Sequence, residues 1–386
     1  MNILFLQPFP CIRAYKEAYA LKHISPDMKI FLAYQGPTLN EEYGSGDEIF
    51  DGLVKLPSGY VSFYTKHKNS IQKVVNKFDI DLIHSHNSPD VLTFVAIRNT
   101  NKPVIHDIHD MYSLINKKSA LCSTPKTTLE HIVTFGLYPY FTFINIEKYC
   151  NRNADGIIVV SEYMKKQVEK QLKGQYKDIL VLPNFVLKKN LIHLESHSHH
   201  NFNKLKVVFE GIFGAPKTHG DLTDTINALG KISNIEFHIY GYSWNNNYVE
   251  YLKKTIEKYN NIVFHGGVSP EELFTLLPQY DCGIIPSYNT SKFSQHLHST
   301  LPNKLFEYLI CGLPVLAPNF ESLRIFMEKN QVGCIYSDLE SDLKNAIERM
   351  RKEHTTFFNN ITKDRELYTM EKNAYEIIKL YEKILN

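Results

Sequence analysis

Residues Leu301–Val315 have the sequence LPNKLFEYLICGLPV, which predicts a short helix followed by a buried strand. Pro302 suits the first helical turn because its missing N–H group would have no intrahelical partner there. Gly312 suits the position where the helix ends, and residues 314–317 are apolar enough for a strand covered on both faces. The segment therefore predicts one helix–strand unit of an α/β domain.

The N-terminus of this helix is a candidate phosphate site. Its free N–H groups and the positive end of its dipole attract anions. Four polar residues lie at this end, namely Ser299, Thr300, Asn303 and Lys304. Glu307 lies about one turn further along, where a carboxylate can accept hydrogen bonds from two vicinal hydroxyls. A phosphate site beside a diol site predicts a nucleoside diphosphate as ligand.

The composition predicts a globular protein of two domains. The chain has 386 residues, of which 43% are hydrophobic and 22% are charged. Its net charge is +2 without a basic arm or acidic tail, which excludes nucleic acid as the main partner. Six scattered cysteines without a C-x-x-C pair argue against a disulfide framework or a zinc site and fit a reducing cytoplasm. Residues 1–6 lack the basic start of a signal peptide and predict a buried strand.

Short apolar strands alternate with helical patterns, which predicts parallel sheets built from βα units. Strands are predicted at 2–6, 28–33, 81–84, 103–106, 156–160, 179–182, 206–210, 235–240, 262–265, 282–285 and 314–317. Helices are predicted at 14–23, 72–78, 164–173 and about 364–386, and another begins at Ser269 with a capping box completed by Glu272.

These patterns predict an α/β fold of two doubly wound, Rossmann-like domains that face each other across a cleft. The domains are predicted at residues 1–186 and 205–363, joined by a polar linker at 187–204. Ligands of such domains bind outside the carboxyl ends of the strands, so residues just after strands are the first candidates for function.

The segment that contains Pro302, Lys304, Glu307 and Gly312, with those around it, resembles the retaining glycosyltransferases of family 4, which have the GT-B fold. The resemblance runs nearly end to end and implies a nucleoside-diphosphate sugar as donor, with UDP-sugar favoured. It implies a hydroxyl acceptor on a glycan, a lipid-linked molecule or a protein, transfer with retention, and no bound metal or other cofactor. Its implied setting is bacterial surface-polysaccharide biosynthesis. It also implies that the last helix, about 364–386, crosses back to the first domain.

In the first domain, the resemblance assigns His109 with Asp110 to hydrogen bonds with the donor sugar. Arg13 opens a helix after the first strand, where it either contacts acceptor or phosphate or solvates the helix start. The two His-Asp pairs at 106–107 and 109–110 do not predict a metal site, because their i, i+3 spacing lacks a third ligand.

His84 and His86 end the neighbouring strand of the first domain and are candidates for lining the same cleft. Each has the alternative of a satisfied structural histidine. That alternative is the favoured interpretation for His84, and also for His106.

In the second domain, the family pattern places an arginine and a lysine on the diphosphate. Ile212 stands at the arginine position and Lys217 at the lysine position, while the glycine that should follow the lysine has moved to Gly220. Losing one cation removes charge stabilisation of the leaving nucleotide, which Lys304 or Arg13 would have to replace.

The same resemblance expects a second carboxylate eight residues before Glu307, in contact with the transferred sugar, where this chain has Ser299. Gly241 follows one strand, and Gly267 with Val268 follows the next. These positions resemble the loops that hold the base, and glycine there lets the backbone approach a ligand closely.

Two segments have compositions that are also found in metal-binding or membrane-contacting proteins. The linker histidines His193, His197, His199 and His200 predict a solvated loop rather than a metal site. The aromatic segment 132–146 is too short to span a membrane and is interrupted by Gly136 and Pro139. Peripheral membrane contact, a core helix and a dimer contact are its three alternatives.

We therefore expect a GT-B glycosyltransferase that is retaining, metal-independent and cytoplasmic, at the inner face of the membrane if segment 132–146 docks there. Lys217, Lys304, His109 and Asp110 are its expected catalytic residues. Two alternatives remain. One is a GT-B nucleotide-sugar epimerase or hydrolase. The other is a catalytically silent GT-B binding subunit, which Ile212 and Ser299 favour.

Overall fold

The computed structural model describes residues 1–8, 11–36, 48–87, 89–114, 139–192, 194, 204–214, 220–287 and 294–386. The contacts within it divide the chain into two compact units. Unit 1 comprises Met1–Asn184, Gln295–Thr300 and Met370–Asn386, and unit 2 comprises Phe185–Ser294 and Leu301–Thr369.

Among the described residues, each unit contains one parallel sheet. The strands in chain order are β1 Asn2–Gln7, β2 Lys29–Tyr34, β3 Gly52–Lys55, β4 Leu82–His86, β5 Val104–Ile108, β6 Gly156–Val159, β7 Asp178–Val181, β8 Leu205–Ile212, β9 Ile235–Tyr242, β10 Ile262–Gly266, β11 Cys282–Ile284, β12 Val315–Pro318 and β13 Gly333–Tyr336. The sheet of unit 1 has seven strands in the order β3-β2-β1-β4-β5-β6-β7, and that of unit 2 has six in the order β10-β9-β8-β11-β12-β13. This is the predicted α/β fold with two doubly wound domains.

Helices separate most of the strands. In chain order they are α1 Ile12–Ile24, α2 Tyr60–Thr65, α3 Ser70–Phe78, α4 Val91–Asn99, α5 Pro139–Asn153, α6 Glu162–Leu172, α7 Thr223–Gly230, α8 Asn246–Ile256, α9 Pro270–Leu276, α10 Ser294–Ser299, α11 Asn303–Ile310, α12 Glu321–Asn330, α13 Asp342–Asp364 and α14 Met370–Leu385. The predicted cap at Ser269 is confirmed, because its hydroxyl accepts the N–H of Glu272 at 3.2 Å.

The strands β3 and β13 were not predicted from the sequence. Each is only four residues long, begins with glycine and lies at an edge of its sheet. β3 is only partly buried, and its two apolar residues lie between a glycine and a lysine, as suits an edge strand. β13 is mostly buried, so its edge position does not explain why it was missed.

The start of α11 differs from the prediction. Pro302 is the N-cap residue, with φ −69° and ψ 149°, and the helix begins at Asn303. An extended ψ suits a cap, and Pro302 has no N–H group to leave unpaired. Gly312 follows the last turn with φ +78°, a left-handed conformation in which glycine is free of Cβ strain.

Tyr308 fixes α11 against the sheet of unit 2. Its hydroxyl accepts the N–H of Glu210 on β8 at 3.1 Å and lies 3.4 Å from the carbonyl oxygen of Ile284 on β11. A Cβ atom at Gly283 would lie 2.2 Å from the Tyr308 ring, so the strand has glycine where the ring packs. The face of α11 that carries Glu307 is thereby held at the carboxyl end of β8.

The helix predicted at about 364–386 is present as α14, Met370–Leu385, and starts later than predicted. α13 ends at Asp364, a 3₁₀ turn covers Arg365–Tyr368, and α14 follows. α14 belongs to unit 1, where the Tyr381 hydroxyl lies 2.6 Å from Nδ1 of His84 and Lys383 pairs with Asp178 at 2.6 Å.

The part of the aromatic segment that the structure describes lies in α5. Its residues Phe143 and Ile146 are buried, at 4% and 8% exposure, in the core that also contains Val91 and Phe94 of α4. In the described ranges, no helix combines the length and the apolar character that crossing a membrane requires. Residues 132–138 and the four linker histidines lie outside the described residues.

Candidate functional site

The carboxyl ends of β8 and β9 approach each other closely in unit 2. Gly211 has φ +129° and Gly241 has φ +144°, and a Cβ atom at Gly241 would lie 1.9 Å from the carbonyl oxygen of Gly211. Only glycine fits this contact, which explains why the predicted base-loop position carries one. The two strand ends therefore present backbone without side chains at the edge of the sheet where a ligand of a doubly wound domain binds.

Lys304 lies in the first turn of α11 and reaches this edge. A Cβ atom at Gly211 would be 3.3 Å from its ammonium nitrogen, and the ammonium lies 5.3 Å from the centre of the Phe209 ring. A cation, the first N–H groups of a helix and a side-chain-free strand end together suit a diphosphate. Asn303 is the exposed first residue of the same helix.

Glu210 and Glu307 form a pair of carboxyl groups beside Lys304. Glu210 is 7% exposed, and the groups are close enough to hydrogen-bond through a proton. Burial raises the pKa of Glu210, the negative charge of Glu307 raises it further, and Lys304 opposes both. Together these effects raise the pKa of Glu210 well above its ordinary range, which favours the protonated form.

The predicted base loops lie next to two exposed aromatic side chains. A Cβ atom at Gly267 would be 3.7 Å from the ring of Tyr242, and Gly266 has open space above it. The Trp244 ring packs edge-on against Tyr242 at 5.2 Å and is 82% exposed. Val268 follows in the same loop and is partly buried. Aromatic faces of this kind can stack on a nucleobase.

Two further positions of unit 2 bear on the diphosphate. Ile212, at the arginine position of the resemblance, is 51% exposed and offers no charge. Lys217 lies outside the described residues. Gly214 and Gly220, which precede and follow Lys217 in the chain, are joined by a hydrogen bond from the N–H group of Gly214 to the carbonyl oxygen of Gly220 at 3.0 Å.

Arg13 in unit 1 is buried among carboxylates and is neither solvated nor open to a ligand. Its exposure is 3%, its Nε lies 2.9 Å from Asp107 and 3.0 Å from Glu17, and its Nη1 donates to the carbonyl oxygen of Leu182 at 2.9 Å. This geometry differs from both expected roles of Arg13 and favours a structural one. The reason is that β5 carries a buried aspartate beneath the start of α1.

Asp107 is the centre of this buried cluster in unit 1. Burial alone would raise its pKa, but Arg13 and then His109 hold it well below its ordinary range. Burial raises the pKa of Glu17 well above its ordinary range despite Arg13, so one carboxyl group is ionised and the other protonated. Burial lowers the pKa of His84 and His86, which are therefore neutral.

His109 is the cluster member that keeps some exposure, at 17% of its side chain. Burial opposes its charge, but Asp107 and then the Cys11 thiol raise its pKa to about 10. Its Nε2 lies 3.6 Å from Asp107 and 3.2 Å from Nδ1 of His86. His109 is consequently an imidazolium at neutral pH and a hydrogen-bond donor rather than a general base.

Asn87 holds the loop that carries His109 and Asp110. Its side-chain oxygen accepts both N–H groups, at 2.7 Å and 3.4 Å, and its amide nitrogen donates to the carbonyl oxygen of Asp110 at 2.7 Å. The Asp110 carboxylate is 46% exposed and lies 3.6 Å from Nε2 of His296. His106, by contrast, is fully buried between Asp90 and Asn151, which confirms its structural role.

Four of the buried residues offer ligand atoms within 4.8 Å of one another, namely Glu17, His84, His86 and Asp107. The rings of His84 and His86 are stacked, however, with centres 4.5 Å apart and planes 11° apart. Lone pairs in parallel planes do not converge on one ion, and Arg13 already supplies a positive charge to both carboxyl groups. The arrangement therefore fits a proton-sharing cluster better than a metal centre.

Ser299 and Thr300 belong to unit 1, whereas the helix they were expected to open, α11, belongs to unit 2. Ser299 donates its hydroxyl to the carbonyl oxygen of His296 at 2.7 Å, and its own carbonyl accepts the Ser161 hydroxyl at 2.5 Å. Ser299 is the last residue of the short helix α10 and Thr300 follows it, so neither residue belongs to the N-terminus of α11.

Sequence reasoning missed Asn87, Cys11, Asp107, Glu17 and Glu210 as members of the two clusters. A polar residue at or next to the end of a buried strand is the signal that could have found Asn87, Asp107 and Glu210. Cys11 and Glu17 lie before and within α1 and have no such signal.

Two family models match the chain, glycosyltransferase family 4 over residues 31–187 and glycosyl transferases group 1 over residues 204–353. No curated protein matches it significantly. Solved structures with the same fold cover nearly all of it at low identity, as three of them illustrate.

The chain is 15% identical to sucrose-phosphate synthase from Thermosynechococcus elongatus, with a TM-score of 0.70 over 100% of this chain and 99% of that one. It is 16% identical to HepE from Anabaena in complex with UDP-glucose, with a TM-score of 0.65 over 98% and 99%. It is 14% identical to the lipopolysaccharide outer core galactosyltransferase WaaB, with a TM-score of 0.64 over 97% and 98%.

The two family matches and the two-domain fold lead to one assignment. The chain belongs to the GT-B glycosyltransferases of the family 4 type. The expectation of glycosyl transfer is thereby confirmed at the level of the class of enzyme.

Asp107→Asn should lower the free energy of unfolding by about 3–5 kcal/mol, because it leaves the buried Arg13 and His109 without their main counter-charge. Glu17→Gln is the matched control and should cost under about 1 kcal/mol, because Glu17 is already neutral. Urea unfolding of both variants measures the difference. Equal losses would contradict the assignment of charge between the two carboxyl groups.

The raised pKa of His109 predicts a pH-dependent stability. Its contribution is fully present below the ordinary value of 6.5 and is lost as the pH rises through about 10. The gap in unfolding free energy between wild type and His109→Gln should therefore narrow steadily across that window. A gap independent of pH would show that His109 is not charged in the folded protein.

Proposed function

We propose that the protein transfers a sugar from a UDP-sugar to a hydroxyl acceptor with retention of anomeric configuration. The observation that carries this is the arrangement of Lys304 and Glu307 on α11 beside Gly211. A cation and a helix N-terminus suit the diphosphate, and a carboxyl group one turn further along suits the ribose.

The base is proposed to lie against the loop of Gly267 and Val268, with Gly241 allowing close approach and Tyr242 beside it. Uracil is the proposed base, supported by the fold shared with HepE, whose structure contains UDP-glucose. Lys217 and Asn303 are proposed to add contacts to the diphosphate, as the resemblance to family 4 implies.

The state of His109 supports a mechanism without a protein base. Because its pKa is raised to about 10, the ring donates hydrogen bonds and cannot accept a proton from the acceptor. We propose that the departing phosphate oxygen takes the acceptor's proton on the same face of the sugar, while His109 and Asp110 orient the sugar. The protein then contributes positioning and charge stabilisation without a bound metal or other cofactor.

The proposed acceptor is a hydroxyl group of a glycan, a lipid-linked molecule or a protein in bacterial surface-polysaccharide biosynthesis in the cytoplasm. The shared fold with WaaB, a lipopolysaccharide galactosyltransferase, is compatible with that setting. A membrane contact through 132–146 would have to use side chains other than Phe143 and Ile146, which are buried.

UDP at 100 times its Kd should raise the free energy of unfolding by about 2.7 kcal/mol, measured by thermal unfolding in a panel with GDP, ADP and CMP. Trp244 is the single tryptophan of the chain and is 82% exposed beside the proposed base loop, so UDP should also change its fluorescence.

Glu307→Ala should weaken UDP binding roughly 10- to 100-fold through lost charge-assisted hydrogen bonds.

Glu250→Ala, on the exposed side of α8, is the matched control and should bind UDP normally. Stabilisation by another nucleoside diphosphate would overturn the choice of uracil. No stabilisation by any of them would contradict the donor site and favour a silent subunit.

His109→Ala should abolish glycoside formation while UDP binding, measured by Trp244 fluorescence, persists. The physical reason is that the imidazolium acts on the sugar, whereas the nucleotide is held by unit 2. The assay uses UDP-sugars with a panel of hydroxyl acceptors and analyses the products. Free sugar or an altered nucleotide-sugar in place of a glycoside would identify a hydrolase or epimerase instead.

A further inference from the structure

One oxygen of the Glu210 carboxyl group is buried near the end of β8 without a hydrogen-bond partner among the described residues. The residue is 7% exposed, and this oxygen is Oε1. Its backbone N–H group is bonded to the Tyr308 hydroxyl, which fixes the strand end against α11. An acidic side chain buried in this way costs free energy unless a ligand supplies the missing hydrogen bonds.

The groups around Glu210 come from α11 and from the residue that follows it. Glu307 is hydrogen-bonded to it, Lys304 is the nearest cation, and the Cys311 thiol is close enough to be affected by both carboxyl groups. Two carboxyl groups can hydrogen-bond to each other only if one of them carries a proton. The pair thus offers one shared proton and at least one acceptor oxygen, Oε1 of Glu210, that has no partner among the described residues.

This pair is distinct from the carboxylate that the resemblance places at the Ser299 position, in contact with the transferred sugar. The resemblance to family 4 expects a second carboxylate at that position, but the Ser299 hydroxyl is used within unit 1 by His296. Unit 2 brings the second carboxyl group of this pair from β8, adjacent to Gly211 and its contact with Lys304.

We propose that Glu210 and Glu307 together bind the vicinal diol of the nucleotide's ribose, one hydroxyl on each carboxyl group, and that Glu210 is thereby a specificity-determining residue. This inference rests on the proposed UDP-sugar site. Each ribose hydroxyl donates to one carboxyl oxygen, and the shared proton stays between the two acids. A nucleotide that lacks either hydroxyl leaves one buried oxygen without a donor and binds less tightly.

The test compares Kd values for UDP, 2′-deoxy-UDP and 3′-deoxy-UDP, measured by calorimetry on the full chain. In the wild type each deoxy analogue should bind about tenfold more weakly than UDP. In Glu210→Val one of the two ratios should fall to about one, while the other persists on Glu307. Glu210→Gln, which keeps a neutral side chain with an acceptor oxygen, should retain both ratios.

Glu250→Gln is the surface control. Glu210→Met is a second apolar variant, to be used if Glu210→Val does not fold. Thermal unfolding without ligand checks the folding of each variant. A purely structural Glu210 would lower the melting temperature of the apolar variants and leave both ratios at wild-type values, which would overturn this inference alone. Absence of UDP binding by the wild type would overturn the proposed function and this inference with it.

Discussion

Burial of ionisable groups at the carboxyl ends of parallel strands is the constraint on which both candidate sites depend. Water cannot solvate Asp107 or Glu210, so each group either finds a counter-charge or keeps a proton. Asp107 is ionised because Arg13 lies 2.9 Å away. The protonated form of Glu210 is favoured because burial and then Glu307 raise its pKa, and Lys304 only partly compensates. One physical rule therefore favours opposite protonation states in the two units.

The alternating pattern of the sequence predicted the fold because each central strand is buried on both faces and so carries an uninterrupted apolar run. β1 and β12 show this, with every residue from Ile3 to Leu6 and from Val315 to Ala317 at 0% exposure. The pattern fails at β3, a partly buried edge strand that has only two apolar residues beside its glycine. Element boundaries shifted by a residue or two where backbone geometry decides, as at Pro302.

The candidate sites were predicted less completely, because clusters join residues that are far apart in the chain. His109 was chosen from the resemblance to family 4 and Lys304 from its place at the start of a helix, and the roles of both stay predictions. The sequence correctly indicated that Arg13 lies near a strand end, but a contact with acceptor or phosphate was one of its expected roles. The sequence alone does not show that Asp107, ninety-four residues later, lies beneath Arg13. Glu210 was assigned to its strand, yet its pairing with Glu307 depends on how Tyr308 packs against Gly283.

The same electrostatics give the cysteines of the protein unequal chemical reactivity. Cys11 is the N-cap residue of α1 and partly exposed, and His109 lowers the pKa of its thiol against the effect of burial. Burial raises the thiol pKa of Cys150, Cys282, Cys311 and Cys334. The thiolate is the nucleophilic form, so a limiting amount of an alkylating probe will label Cys11 ahead of these four. Among the five described cysteines, Cys11 is thus the one at which a fluorophore would be attached beside His109.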